Sequence, residues 1–221
     1  IGYQAGFSTT NGINNVSLGF NALFSGAVRN NNVAIGTKAL QNNNADDNTA
    51  VGYQSLYSNT TGTQNVAVGF EAAKTSVVGE RVIAIGYQAL KNDTSSGNVA
   101  IGWRSGYTTT TGSGNVAVGD RALYLNTSGN TNIATGYMSL YNNTTGSENT
   151  AIGRTSLHNN TTASYNTAVG GYALKANTTG TYNTALGHSA LYTNTTANEN
   201  TAVGYQSLYS NTTGTENTAV G

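Results

Sequence analysis

A glycine that closes a short apolar stretch recurs at a nearly constant interval along the chain, and this period constrains the fold most. It occurs fourteen times from Gly2 to Gly221, 17 residues apart except at two places where the spacing is 16. A fixed period of this length is typical of a solenoid, in which each repeat forms one coil. The sequence therefore predicts an all-β parallel β-solenoid, or β-roll, of thirteen coils that forms a single repeat array over residues 1–221.

The chain begins and ends at the same phase of this repeat, and neither end carries an atypical repeat. Solenoids normally finish with capping repeats that present a polar outer surface. We therefore expect the array to be a segment of a longer fibre.

Positions within a repeat are numbered from the glycine, which is position 0. Position −4 is asparagine except at Val82, position −3 is always β-branched, position −2 is alanine except at Ser17, and position −1 is aliphatic except at Thr135. This alternation predicts a strand over positions −3 to −1. The Ala/Ser–Leu–Tyr segment at positions +3 to +5 predicts a second short strand, and the glycines at positions 0 and +10 predict corners of the coil.

Strand alternation places positions −3 and −1 on one face and position −2 on the other. We expect −3, −1 and the leucine at +4 to fill the interior, and −2 to face outward where another backbone comes close. The candidate trimer contacts are then Ala67, Ala84, Ala100, Ala117 and Ala134. The alternative is a tight interior of alanines with the larger side chains turned toward a trimer axis. The asparagines at −4 are expected to stack as a ladder bonded from coil to coil.

Charge and cysteine content exclude several classes of partner and site. Charged residues are 8% of the chain, against about 25% in ordinary domains, and nine basic residues balance nine acidic ones. The pattern predicts no nucleic-acid partner and no membrane contact by this segment. Without cysteine, neither a disulfide framework nor a thiolate metal site can form.

Catalytic and metal-binding signatures are also missing from the repeat. His158 and His188 stand at different repeat positions where tyrosine is usual, and Asp46, Asp47 and Asp93 lie in loops without an acidic ladder. No Ser–His–Asp or paired-carboxylate arrangement recurs. The sequence therefore predicts no enzyme, no metal and no cofactor.

Aromatic residues at positions +1 and +5 are the best binding candidates, because rings beside hydroxyls and amides suit sugar rings. The alternative is a tyrosine ladder that stiffens the coil stack or fills a subunit interface. Trp103, with Arg104 and Gly106, is the most singular of these places. The candidate glycan contacts are Tyr53, Tyr57, Trp103, Tyr107, Tyr137, Tyr141, Tyr205 and Tyr209.

Asparagines at position +7 form Asn-x-Thr/Ser sequons in seven repeats and are candidate glycosylation sites. The favoured alternative is that Asn and Thr are simply good turn formers that bond their own backbone. The seven sites are Asn59, Asn126, Asn143, Asn160, Asn177, Asn194 and Asn211.

The segments Asn65–Gly69, Asn98–Gly102 and Asn115–Gly119 carry a recurring Asn-Val-Ala-Val/Ile-Gly motif. This motif resembles the YadA-like head repeat of trimeric autotransporter adhesins, and equally the repeats of phage-type trimeric tail fibres. The resemblance implies a left-handed β-roll, a homotrimer, and display on a cell or virion surface. It predicts a structural and adhesive segment of an extracellular fibre, with surface polysaccharide as a further partner.

An ice-binding β-solenoid is the alternative function, because regular threonine arrays on a flat face bind ice. The threonine pairs of the polar loops, such as Thr60 and Thr61, are adjacent in the chain. In a strand they would point to opposite faces, which disfavours this alternative.

Overall fold

Every coil contributes one three-residue strand, and the computed structural model describes all 221 residues. The strands are β1 (Val16–Leu18), β2 (Val33–Ile35), β3 (Thr49–Val51), β4 (Val66–Val68), β5 (Ile83–Ile85), β6 (Val99–Ile101), β7 (Val116–Val118), β8 (Ile133–Thr135), β9 (Thr150–Ile152), β10 (Thr167–Val169), β11 (Thr184–Leu186), β12 (Thr201–Val203) and β13 (Thr218–Val220). The predicted all-β parallel solenoid is confirmed. No helix in the structure has the length and apolar character needed to cross a membrane.

The chain divides into two compact units, an N-terminal unit Ile1–Thr111 with β1–β6 and a C-terminal unit Gly112–Gly221 with β7–β13. Within each unit, consecutive strands pair in parallel and join equal repeat positions. Thr150 pairs with Thr167 across a 17-residue coil, and Val33 pairs with Thr49 across a 16-residue coil. The missing residue is therefore absorbed in the loop between positions +7 and −4, and the strand register is unchanged.

The assignment of inner and outer faces was wrong for the strand residues. Alanine at position −2 is at most 2% exposed in every strand from β2 to β12, while the residues at −3 and −1 lie on the outer surface. The leucine at +4 is buried as predicted in nearly every coil, for example Leu56 and Leu157. Each coil of the C-terminal unit encloses a narrow space already filled by two small residues, one leucine and two asparagines, and the N-terminal coils vary on this pattern. The interior therefore admits only a methyl group from the strand.

The second predicted strand is also absent, because positions +3 to +5 belong to a turn. Positions +2 and +4 adopt left-handed backbone conformations, as in Gln54 (φ 52°) and Leu56 (φ 48°). A buried leucine in this region is uncommon, because its Cβ crowds the backbone. The turn still bonds from coil to coil, since the Leu56 amide donates to the Ala72 carbonyl at 3.0 Å.

The predicted asparagine ladder at position −4 is confirmed. The Asn149 amide and its side-chain Nδ2 both donate to Oδ1 of Asn132, at 3.0 and 3.1 Å. The same Nδ2 donates to the Ala163 carbonyl at 2.8 Å. These asparagines are fully buried, so the ladder satisfies interior polar groups that water does not reach.

The glycines at the two corners meet different demands. At position 0 the φ angles lie between 125° and 141°, where a side chain is strained. At position +10 the backbone is ordinary, but a Cβ on Gly62 would overlap the carbonyl oxygen of Gly79 in the next coil. Close stacking of coils therefore accounts for the glycine at +10.

Candidate functional site

The outer face of the strands carries an uninterrupted double column of side chains in each unit, which we call the strand stripe (positions −3 and −1 of β1–β6 and of β7–β13). Its members are mainly valine, isoleucine and leucine, and Ile101, Ile133 and Ile152 are 39–41% exposed. Neighbouring members of a column are about 4.8 Å apart, the spacing of paired strands. Contiguous exposed apolar surface of this kind is typical of an interaction site.

The strand stripe changes chemistry within the C-terminal unit. Position −3 becomes threonine in five consecutive strands, β9 to β13, while position −1 remains aliphatic. These threonines are Thr150, Thr167, Thr184, Thr201 and Thr218. The result is a column of outward hydroxyls beside a column of apolar side chains.

The candidate trimer contacts at position −2 lie beneath the strand stripe rather than on it. Ala67, Ala84, Ala100, Ala117 and Ala134 are 0–2% exposed and face the interior of their own coils. Their outward placement was wrong for the reason given above, that the coil is too narrow for larger side chains. They therefore present no surface to a second chain.

Aromatic rings at positions +1 and +5 stack on one another along the coils. In the N-terminal unit Tyr53, Phe70, Tyr87 and Trp103 form one stack, with successive ring centroids 5.1, 5.2 and 6.2 Å apart. Because each ring covers the face of its neighbour, the surface offers mostly ring edges. A sugar ring therefore cannot stack along the middle of such a column.

The remaining candidate glycan contacts fall into two groups, those stacked on another ring and those that are not described by ring stacking. In the C-terminal unit Tyr141 stacks on Tyr124 at 5.1 Å, Tyr209 stacks on Tyr192 at 5.0 Å, and Tyr205 stacks on His188 at 5.8 Å. The other three candidates differ: cations cover Tyr107 and Tyr137, and Tyr57 is half-buried.

A polar network surrounds Trp103 in the N-terminal unit. The Arg104 guanidinium lies 4.6 Å from the Trp103 ring centroid and 5.2 Å from that of Tyr107. Its Nε donates to Gln88 at 2.8 Å, and Gln88 donates to the Glu71 carboxylate at 2.8 Å. Cation–π contacts fix the guanidinium against the aromatic stack.

Glu71 is the anionic centre of that network. Lys74 and Lys91 pair with its two oxygens at 2.7 and 2.9 Å. Burial alone would raise the pKa of Glu71, but the hydrogen bonds from Lys74, Lys91 and Gln88 outweigh it and lower the pKa to about 2. The carboxylate therefore stays ionised at any physiological pH.

The candidate glycosylation asparagines form a second interior ladder. Six of the seven are fully buried, and only Asn211, in the last repeat, is partly exposed. Nδ2 of Asn160 donates to Asn143 Oδ1 at 2.8 Å and to the Ala163 carbonyl at 3.0 Å. Glycosylation would require this same nitrogen on the surface, so the folded coils do not offer Asn59, Asn126, Asn143, Asn160, Asn177 or Asn194 to a modifying enzyme.

Two buried charges escaped sequence interpretation. The Arg29 side chain is fully buried, where it donates to the carbonyls of Gly26 and Asn43 and to Thr9 Oγ1, and burial lowers its pKa to about 10. Asp93 is also fully buried. Its place at position +7, where most other coils have an asparagine of the interior ladder, could have indicated this burial from the sequence.

Burial raises the pKa of Asp93 to about 6, although hydrogen bonds from Ser95 and Asn98 oppose the shift. Neither charged group has an ionic partner in its unit: the Arg29 guanidinium is held by neutral acceptors and the Asp93 carboxylate by neutral donors.

Neither unit contains a pocket, and no three His, Asp or Glu side chains converge as metal ligands would. The candidate functional surface is therefore the strand stripe with the aromatic and charged residues beside it. Comparison with models of protein families, with curated proteins and with solved structures gives no match.

Proposed function

We propose that this chain is a structural and adhesive segment of an extracellular homotrimeric fibre that assembles through the strand stripe. The observation that carries the proposal is the continuous, mainly apolar outward surface of each unit, formed by positions −3 and −1 of β1–β6 and, separately, of β7–β13. Covering such a surface with a second copy removes apolar area from water.

The width of the stripe supports assembly around an axis. It is one strand wide, and the columns at −3 and −1 are about 7 Å apart, two residues along a strand. Three narrow stripes can converge on one axis and cover each other. The valines and isoleucines thereby take the contact role that the sequence interpretation gave to alanine.

The interior of each coil supports a structural rather than a catalytic role. In the C-terminal unit two asparagine ladders bond each coil to the next, and backbone bonds join consecutive coils in both units, so a coil depends on its neighbours for stability. A polysaccharide partner would meet the edges and hydroxyls of the stacked tyrosines and the threonine-rich loops.

The mass of the chain in solution tests the assembly. Wild type is expected to sediment as a trimer, and Ile152→Lys with Val169→Lys, both on the stripe, is expected to sediment as a monomer with unchanged strand content by circular dichroism. Thr162→Lys, on an exposed loop of the same region, is the matched control and should stay trimeric. A wild-type monomer would refute the proposal.

An ice-binding role is the second candidate, and the threonine column of β9–β13 specifically favours it. Unlike the loop pairs, these hydroxyls all point outward, spaced like paired strands, about 4.8 Å apart. A regular row of hydroxyls and methyl groups can order water at that spacing. Trimer assembly would cover the same surface. Thermal hysteresis by a monomeric wild type would therefore favour ice binding over the fibre, provided that the double variant Thr167→Lys with Thr201→Lys loses it.

A further inference from the structure

The chain has no net charge, but its charges are sorted to the two sides of the strand stripe. Positions −6 and −5, just before the strand, form what we call the acidic flank, with six carboxylates and only Arg81 of opposite sign. Its members are Asp46, Asp47, Glu80, Glu148, Glu199 and Glu216.

Positions +1, +2 and +5, just after the strand, form the basic flank, where seven cations face two carboxylates, Glu71 and Asp120. Its members are Lys38, Lys74, Lys91, Arg104, Arg121, Arg154 and Lys175. The remaining two charges, Arg29 and Asp93, lie in the interior. The flanks therefore carry net formal charges of −5 and +5.

Ion pairs within the units leave this separation intact. Both carboxylates of the basic flank are neutralised locally, Glu71 by Lys74 and Lys91, and Asp120 by Arg121 at 2.8 Å. None of these pairs joins one flank to the other. Glu148, Glu199 and Glu216 on the acidic flank of the C-terminal unit are exposed to solvent.

Symmetry decides which flanks meet when two copies cover their strand stripes. In an antiparallel pair, the two stripes face each other across a twofold axis that runs parallel to the strands. This axis places each flank against the same flank of the partner. In a parallel cyclic assembly of three copies, each interface is heterologous and places one flank against the opposite flank. Only the parallel arrangement brings carboxylates against cations, and like charges in contact disfavour the antiparallel one.

We propose that the acidic flank of one copy lies against the basic flank of the next in a parallel, in-register cyclic assembly of this chain. The proposal rests on self-association through the strand stripe. In register, Glu148 lies level with Arg154 of the neighbouring copy, because both residues belong to the coil of β9. Glu80 and Lys91 belong to the coil of β5 and stand in the same relation.

Charge reversal on the C-terminal unit tests the pairing. Glu148→Lys should weaken assembly at least ten-fold in dissociation constant at low salt, and Arg154→Glu should do the same. Both changes in one chain exchange the signs of this in-register pair and should restore most of the affinity. Because these side chains are exposed or half-exposed, circular dichroism should show unchanged strand content in every variant.

Salt provides the second measurement, since it screens exposed charges. Raising the salt concentration should weaken the assembly of wild type and of the double variant, and should affect the two single variants less. A wild-type assembly indifferent to both reversals and to salt would overturn the flank pairing but leave the strand stripe as the contact. Failure of the double variant to recover would also overturn the pairing, whereas a monomeric wild type would overturn the proposed function itself.

Discussion

The interior column at position +7 is regular in the C-terminal unit and irregular in the N-terminal unit. In the C-terminal unit all six members are asparagines, each bonded to the next. In the N-terminal unit the column contains threonine, glycine, asparagine, serine and aspartate. Its members are Thr9, Gly26, Asn43, Asn59, Ser76, Asp93 and Thr109.

The strands of the two units nevertheless pair at the same repeat positions, which shows that strand register does not depend on the column. The cost appears in hydrogen bonding. Asn59 Oδ1, Ser76 Oγ and Thr109 Oγ1 are buried without a partner, and all three belong to the irregular column. Because unsatisfied buried polar groups destabilise a fold, we expect the N-terminal unit to open more readily in hydrogen exchange.

Among the substitutions that test this comparison, removal of Arg29 should change the free energy of unfolding most. Its guanidinium fills the space that Gly26 leaves and binds carbonyls of two coils. Arg29→Met should destabilise the N-terminal unit by about 3–5 kcal/mol, because several buried acceptors lose their donor. Chemical denaturation monitored with hydrogen exchange measures the loss.

The control for Arg29 restores the regular pattern. Gly26→Asn with Arg29→Gly places asparagine at +7 and glycine at +10, as in the C-terminal unit, and should recover most of the stability. A loss below about 1 kcal/mol in Arg29→Met would contradict the assigned role.

Breaking the regular column should cost somewhat less. Asn160→Ala removes donors to Asn143 Oδ1 and the Ala163 carbonyl and the acceptor of Asn177 Nδ2. We expect a loss of about 2–4 kcal/mol, centred on the adjacent coils. Exchange protection that stays uniform across the C-terminal unit would show that the ladder contributes nothing local.

Completing the irregular column at Asp93 should stabilise the protein in a pH-dependent way. The folded pKa of about 6 lies above the ordinary 3.8, so the folded state holds its proton more tightly. The ionised carboxylate therefore destabilises wild type fully above pH 6 and not at all below about pH 3.8. Asp93→Asn should gain about 2–3 kcal/mol at pH 7, and the gain should vanish near pH 3.5.

Asn43 supports this substitution, because it occupies the same position in the other 16-residue coil and donates to the Ala45 carbonyl at 2.8 Å. Unfolding measured between pH 3.5 and 8 checks the prediction. A gain that does not change with pH would mean that ionisation of Asp93 is not its cause.

The smallest effect is expected at Ser76. Its hydroxyl has no partner, so Ser76→Ala removes an unsatisfied group and leaves packing nearly unchanged. The free energy of unfolding should change by less than about 0.5 kcal/mol, and toward greater stability. A loss of more than 1 kcal/mol would show that the hydroxyl is bonded in solution, and would narrow the contrast between the units.

The repeat period was sufficient to predict parallel strands, their register and the ladder at position −4. It could not decide the inner face, because alternation shows which residues share a face but not which face is buried. Because the coil is narrow, Ala67 lies inside and Val68 outside, the reverse of the predicted arrangement. The left-handed backbone of Leu56 could not be predicted, because no glycine stands at that position. The burial of Asn160 at +7 was missed because Thr161 and Thr162 make this segment resemble a turn and a sequon.

The loop between positions +7 and −4 has a consequence for how such an array can evolve. Coils with four or five loop residues pair their strands identically, as Val33 with Thr49 and Thr49 with Val66 show. Copying errors that add or remove a residue there leave every downstream coil in phase. Natural variation, and peptides inserted by design, can therefore accumulate at this one place of each repeat while the strand stripe stays unchanged.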